Sequence, residues 1–219
     1  MTRPRGRAAR PLAATFLVAL LVAGCAGSPQ PPTAVPSDGA FGQRGRLPDG
    51  AVLRHSKLPW DRPDNQHAQV AAAGLELADA EKLTVHYHAH LDVVVDGAPV
   101  LVPAGLGINT GPGGSLPAHG QPGIAVLHTH ATDGVLHVEA PAAEKLTLGQ
   151  VFTEWGVALA AGRVGGYGRG EDDHVVTVTV DGDPVTGDPA EVVLRDKQEI
   201  VLTVGRGTTQ ALGRAGPTS

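Results

Sequence analysis

From Leu83 to Val95 apolar and polar residues alternate with a period of two. This is the signature of a strand with one buried face. Leu83, Val85, Tyr87, Ala89, Leu91, Val93 and Val95 share one side; Thr84, His86, His88, His90, Asp92, Val94 and Asp96 share the other. Asp96-Gly97 supplies a two-residue hairpin turn, with a return strand from Pro99 to Val102. A second alternating stretch runs from Ile124 to Ala140, broken by Asp133-Gly134. A two-residue turn there pairs Thr132 with Val135, His130 with His137 and His128 with Glu139. A four-residue loop pairs His128 with His137 and keeps the same faces, whereas a three-residue loop splits them. Either even loop puts His128, His130, His137 and Glu139 on one side of the sheet.

The period changes at Thr147. Thr147 and Gln150 form a capping box, and Leu148, Val151, Phe152 and Trp155 make one apolar helical stripe that Gly156 ends. The spacing makes Trp155 a core residue, on the side of the sheet away from the histidines. Val176, Val178 and Val180 alternate up to Asp181-Gly182, and Ile200, Leu202 and Val204 form a final strand. Val70 to Ala78 reads as a short helix or an extended lead-in. Ala104 to Gly123 and Gly162 to Asp173 read as Gly-rich loops. The order of hairpin, hairpin, helix and two further strands predicts an α+β domain with a mixed or antiparallel sheet and one packed helix. A β-grasp-like arrangement is the preferred topology and a β-sandwich the alternative.

Composition adds an address and two exclusions. Arg3, Arg5, Arg7 and Arg10 precede an apolar run from Leu12 to Ala23, and Val22-Ala23-Gly24-Cys25 resembles the lipobox of bacterial lipoproteins. Residues 1–24 are thus expected to be a signal peptide, too short in its apolar part for a membrane span of about 20 residues. Lipidation at Cys25 would then anchor the chain to the membrane on its extracytoplasmic side. Residues 25–70 are expected to form a Pro- and Gly-rich tether, although Gly50 to Gln69 either docks through Trp60 or stays loose. The domain is placed at 71–206, with a disordered tail at 207–219. Cys25 is the only cysteine and Met1 the only methionine, which excludes a thiolate or thioether copper(I) site in the domain. Removal of the four leader arginines takes the formal charge from −5 to −9. That balance argues against nucleic acid as a partner.

Six of the ten histidines lie in the two alternating stretches. Neutral imidazole binds Zn(II), Cu(II), Ni(II) and Fe, and three protein ligands with an open position is the plan of many catalytic zinc sites. The candidate metal ligands are His86, His88, His90, His128, His130 and His137. Six are too many for one ion, and His86 and His90 stand about 13 Å apart along a strand. The preferred ligand set takes His88 or His90 with His128 and His130, with or without His137. Glu139 is a ligand, an acceptor that fixes an imidazole tautomer, or a general base. Asp92 is a weaker acceptor candidate. His119, in the Gly-rich loop, is either a lid ligand or solvated. Ser115 has no base placed beside it, which disfavours a serine hydrolase.

The motifs His86-Tyr-His-Ala-His-Leu-Asp92, His128-Thr-His through His137-Val-Glu139, and Thr147-Leu-Gly-Gln with Trp155-Gly156 resemble those of a largely uncharacterised family of exported bacterial and archaeal proteins. The resemblance covers Ala72 to Gly205. It implies that this span is one unit and implies no particular activity. Three functions follow for testing. The first is a lipoprotein that binds Zn(II) or Cu(II) for sequestration, sensing or delivery. The second is a mononuclear metalloenzyme, hydrolase or oxidoreductase, with Glu139 as general base. The third is a metal-free interaction module.

Overall fold

In the computed structural model the described residues are 46–81, 83–110, 123–168 and 173–207. The expected signal peptide, the lipidation site Cys25, Ser115, His119 and residues 208–219 of the tail fall outside them. The first four strands in chain order are Leu77–Ala78 (β1), Val85–Val95 (β2), Ala98–Val100 (β3) and Ile124–Ala125 (β4). Leu127–His128 (β5), Val135–Ala140 (β6), Leu159–Ala160 (β7), Arg163–Val164 (β8) and Tyr167–Gly168 (β9) follow. His174–Val180 (β10), Asp183–Pro184 (β11) and Glu199–Arg206 (β12) complete them. Gln66–Ala72 (α1) and Leu148–Glu154 (α2) are the α-helices among the described residues.

The main sheet has the order β11-β10-β12-β2-β6-β5, with β3 also paired to β2. β12 runs parallel to β2, and the other neighbours are antiparallel, so the sheet is mixed. β2 realises the expected alternation, with Ala89, Leu91, Val93 and Val95 buried and His86, His88 and Asp92 exposed. Asp96-Gly97 and Asp181-Gly182 both make two-residue turns in which each residue has positive φ, at 51° and 81° and at 53° and 89°. Asp followed by Gly suits that geometry, because both tolerate the left-handed region.

α2 carries the expected capping box: the Thr147 side chain accepts from the Gln150 amide, and the Gln150 side chain accepts from the Thr147 amide. Its residues Leu148, Val151, Phe152 and Trp155 join one core with Ala89, Leu91, Leu136, Val138, Ile200 and Leu202. The helix covers the apolar face of the sheet and leaves the histidine face outward.

The packed region reaches further back than residue 71. Trp60 is 4% exposed and packs edge-on against Trp155 and Tyr167, with ring centroids 5.9 Å apart in both pairs. The Trp155 ring N–H donates to the Trp60 carbonyl at 2.7 Å. Gln66 and Gln69 are fully buried on α1. Gln66 donates to the Pro63 carbonyl and accepts from the Gly107 amide; Gln69 pairs with both backbone groups of Val52. Of the two alternatives for Gly50 to Gln69, docking through Trp60 is therefore the one observed. The helix begins at Gln66, and Leu77–Ala78 is extended, so the Val70–Ala78 stretch is half of each alternative. Residues 162–168, part of the expected Gly162 to Asp173 loop, instead join Leu159–Ala160 in the small three-stranded meander β7-β8-β9.

Candidate metal centre

Strand order decides which histidines meet. β6 lies between β2 and β5, and the register sets His86 opposite Glu139, His88 opposite His137, and His128 opposite His137. Directly opposed residues share a face. His137 therefore stands in the middle, with β2 histidines on one side and His128 on the other. The expected pairing of His128 with Glu139 across a two-residue turn does not occur; the register is that of the longer even loop.

Thr129 gives this end of β5 a second neighbour. Its backbone pairs with the 103–107 segment, through Gly105 N–H to Thr129 O at 2.8 Å and Thr129 N–H to Leu106 O at 3.1 Å. Its hydroxyl donates to Pro103 O and accepts from the Leu106 amide. These bonds tie the residue after His128 to the 103–107 segment, on the side of β5 away from β6. Gly107 makes the close approach possible: it has φ of 68°, and a Cβ there would strike the Leu127 carbonyl and the His128 backbone. The described part of the long loop, 104–110, is thus anchored against the strand that carries His128.

Two groups of side chains bring ligand atoms within 4.8 Å of one another: His128, His130, His137 and Glu139; and His86, His88 and His137. Both can hold a metal ion. His128 Nε2 lies 3.2 Å from His130 Nε2. His88 Nε2 lies 3.1 Å from both His86 Nε2 and His137 Nδ1. Glu139 Oε1 is 3.4 Å from His86 Nε2 and 3.8 Å from His137 Nδ1. Donors on one tetrahedral ion, at about 2.0–2.1 Å from it, are about 3.3 Å apart. The imidazole spacings sit close to that edge length.

No protein-family model, curated protein or solved structure matches the chain. The chemistry of the site is therefore read from its own residues.

His128 is 1% exposed, and its Nδ1–H donates to the Ala125 carbonyl at 2.9 Å. That bond fixes the tautomer and leaves the Nε2 lone pair aimed into the cluster, as in metal-bound histidines generally. Glu139 is 6% exposed, and its Oε2 is buried with no hydrogen-bond partner. An unpartnered buried carboxylate oxygen is costly unless a cation or proton meets it. Beside lone-pair-bearing imidazoles, a metal ion meets that need. The donor set and the orphaned oxygen fit a metal ion.

His90 is not part of either group. Its Nδ1 faces Glu199 Oε2 at 3.1 Å and its Nε2–H donates to Asp133 O at 2.8 Å. The parallel pairing of β12 with β2 sets Glu199 directly beside His90, so a local carboxylate engages the ring. Asp92 Oδ2 is 3.9 Å from His90 Nδ1 and takes no part in either group. Two partners had no signal in the sequence: the Ala125 carbonyl, and Glu81, whose Oε1 lies 3.8 Å from His130 Nε2. Glu81 precedes the strand and belongs to no periodic pattern.

Burial, together with neighbouring imidazoles, holds the His128 and His137 rings down at about 4, against 6.5 for a free ring; the Ala125 bond opposes the shift at His128. Both rings keep their lone pairs for metal at neutral and mildly acidic pH. In the unfolded chain they take up protons near 6.5 and in the fold only near 4. The metal-free protein is therefore expected to lose stability as pH falls through that interval. For His128 the loss is on the order of 3 kcal/mol. Urea midpoints from pH 7 to pH 4 check this. The slope should shrink in His128→Asn, and an equal slope in the variant would contradict the assignment.

Proposed function

We propose that the chain is a membrane-anchored, extracytoplasmic lipoprotein that binds Zn(II) or Cu(II) through His128, His130, His137 and Glu139, for sequestration, sensing or delivery. The observation that carries the metal reading is the buried, unpartnered Oε2 of Glu139 beside imidazoles whose nitrogens are spaced for one ion. Imidazole with one carboxylate suits borderline divalent ions, and the domain offers no sulfur for a soft one. Support for the anchor comes from the sequence, in the basic start, the apolar run and Cys25. The mixed sheet with α2 across one face is consistent with the β-grasp-like reading.

A metalloenzyme using Glu139 as base is less well supported. Glu139 stands among the donors, 3.4 Å from His86 Nε2, rather than at an open approach to them.

Metal analysis of the purified chain and calorimetric titration with Zn(II) and Cu(II) test the proposal. Binding tighter than about micromolar, or −8 kcal/mol, is expected. Nothing tighter would overturn it. For the anchor, Cys25→Ser should move the protein from the membrane fraction to the soluble one. Unchanged membrane partition would remove the lipid from the account.

A further inference from the structure

We propose that the histidine face holds two metal ions, joined through the ring of His137. The proposal rests on the metal-binding reading above and concerns how many ions that face takes and where. The two ligand groups have only His137 in common, because β6 is the central strand of the three. His128 and His88 stand on β5 and β2, two strand spacings apart, or about 9.5 Å at the backbone. Donors on opposite sides of one ion are at most about 4.2 Å apart, given metal–nitrogen bonds of about 2.1 Å. Glu139 Oε1 lies 3.4 Å from His86 Nε2, but no set of ligand atoms within 4.8 Å of one another joins the outer pair, His86 and His88, to His128 and His130.

His137 is built to serve both sides. His88 and His130 approach its ring edge-on, at centroid distances of 4.5 and 4.6 Å and interplanar angles of 82°. Its Nδ1 faces His88 Nε2 at 3.1 Å. A ring nitrogen has one lone pair and binds one ion, so the outer ion takes Nδ1, which Glu139 Oε1 also approaches at 3.8 Å, and the buried ion takes Nε2, with Glu139 reaching it through the unpartnered Oε2. Binding the second ion displaces the remaining ring N–H proton, which passes to solvent. No electrons are transferred. The buried ion has His128, His130, His137 and Glu139; the outer ion has His86, His88 and His137, with positions left for water or a partner's ligand. The outer group has no buried member, with the His86 side chain 43% exposed, whereas the other group has two, His128 at 1% and Glu139 at 6%, beside an exposed His130 at 45%. The outer ion is thus the exchangeable one, and suits borderline divalent ions such as Cu(II) and Zn(II).

The test is titration of the metal-free, full-length protein with Cu(II), read by native mass spectrometry and electron paramagnetic resonance. Two ions per chain are expected at saturation. The resonance should grow to one equivalent and then fall to below half its maximum as the second ion couples through His137. His86→Ala/His88→Ala should bind one ion and keep the full signal. One ion per chain in the unsubstituted protein overturns the two-ion site and leaves the metal-binding reading standing. Two ions with independent, additive signals overturn the shared ring. Two ions in the double variant overturn the outer position. No bound copper overturns both readings together.

Discussion

Alanine at both His128 and His130 lowers the affinity of the chain for Zn(II) or Cu(II) by more than about a hundredfold. Outer partners of metal ligands alone are worth about 10–100-fold, and these two side chains supply donors directly. His128 is the deepest imidazole of the set, and its Nε2 is 3.2 Å from that of His130. The variant loses both members of this pair along with the tautomer-fixing bond to Ala125. Calorimetric titration gives the affinity, and circular dichroism shows that the fold persists. An unchanged affinity in a folded double variant would remove the buried group from the account. His90→Ala serves as the contrast. Its ring is engaged by Glu199 and Asp133, so its loss should change affinity by less than about threefold, well below the 10–100-fold range for true outer partners.

Trp155→Ala is the largest expected effect on stability, a loss of about 3–5 kcal/mol. The ring is fully buried, touches Phe152 and Trp60, and donates its N–H to the Trp60 carbonyl. Alanine leaves a cavity between α2 and the segment that carries Trp60, and it leaves that carbonyl without its partner. Urea denaturation measures the loss. A change under about 1 kcal/mol would mean that the Trp60 segment repacks or is not anchored there. Because α2 lies across the sheet from the histidines, metal affinity of the folded fraction should survive the substitution.

The parts of the structure that follow a period were legible in the sequence. β2, with its buried Leu91 and Val93 and outward His86 and His88, is a strand of period two. The α2 stripe and its capping box follow the helical period, and Asp-Gly marks two of the turns. Of the two even loops open at Asp133-Gly134, the longer one, which pairs His128 with His137, is formed. The Gly134 carbonyl accepts from the Leu91 amide of β2, which holds the loop's far end against that strand. No local pattern encodes those partners. The docking of residues 51–63 through Trp60 was one of two alternatives and stayed undecided, because it depends on buried glutamines, Gln66 and Gln69, whose polarity reads as surface until their backbone partners are seen.

For the site, alternation placed six histidines and Glu139 on one face, and that much was legible. The selection among them was not. Whether His90 joins depends on which strand runs beside β2, and the answer is β12 carrying Glu199, 109 residues later in the chain. The central position of His137 likewise comes from strand order, which places β6 between two histidine strands.

The most direct measurement is a crystal structure of the Zn(II)-loaded protein with anomalous difference density collected at the zinc edge. A peak bonded by His128 Nε2, His130, His137 and Glu139, with zinc–nitrogen distances of about 2.0–2.1 Å, is the expected result. Density elsewhere on the chain, with these four side chains unbound, would contradict the assignment.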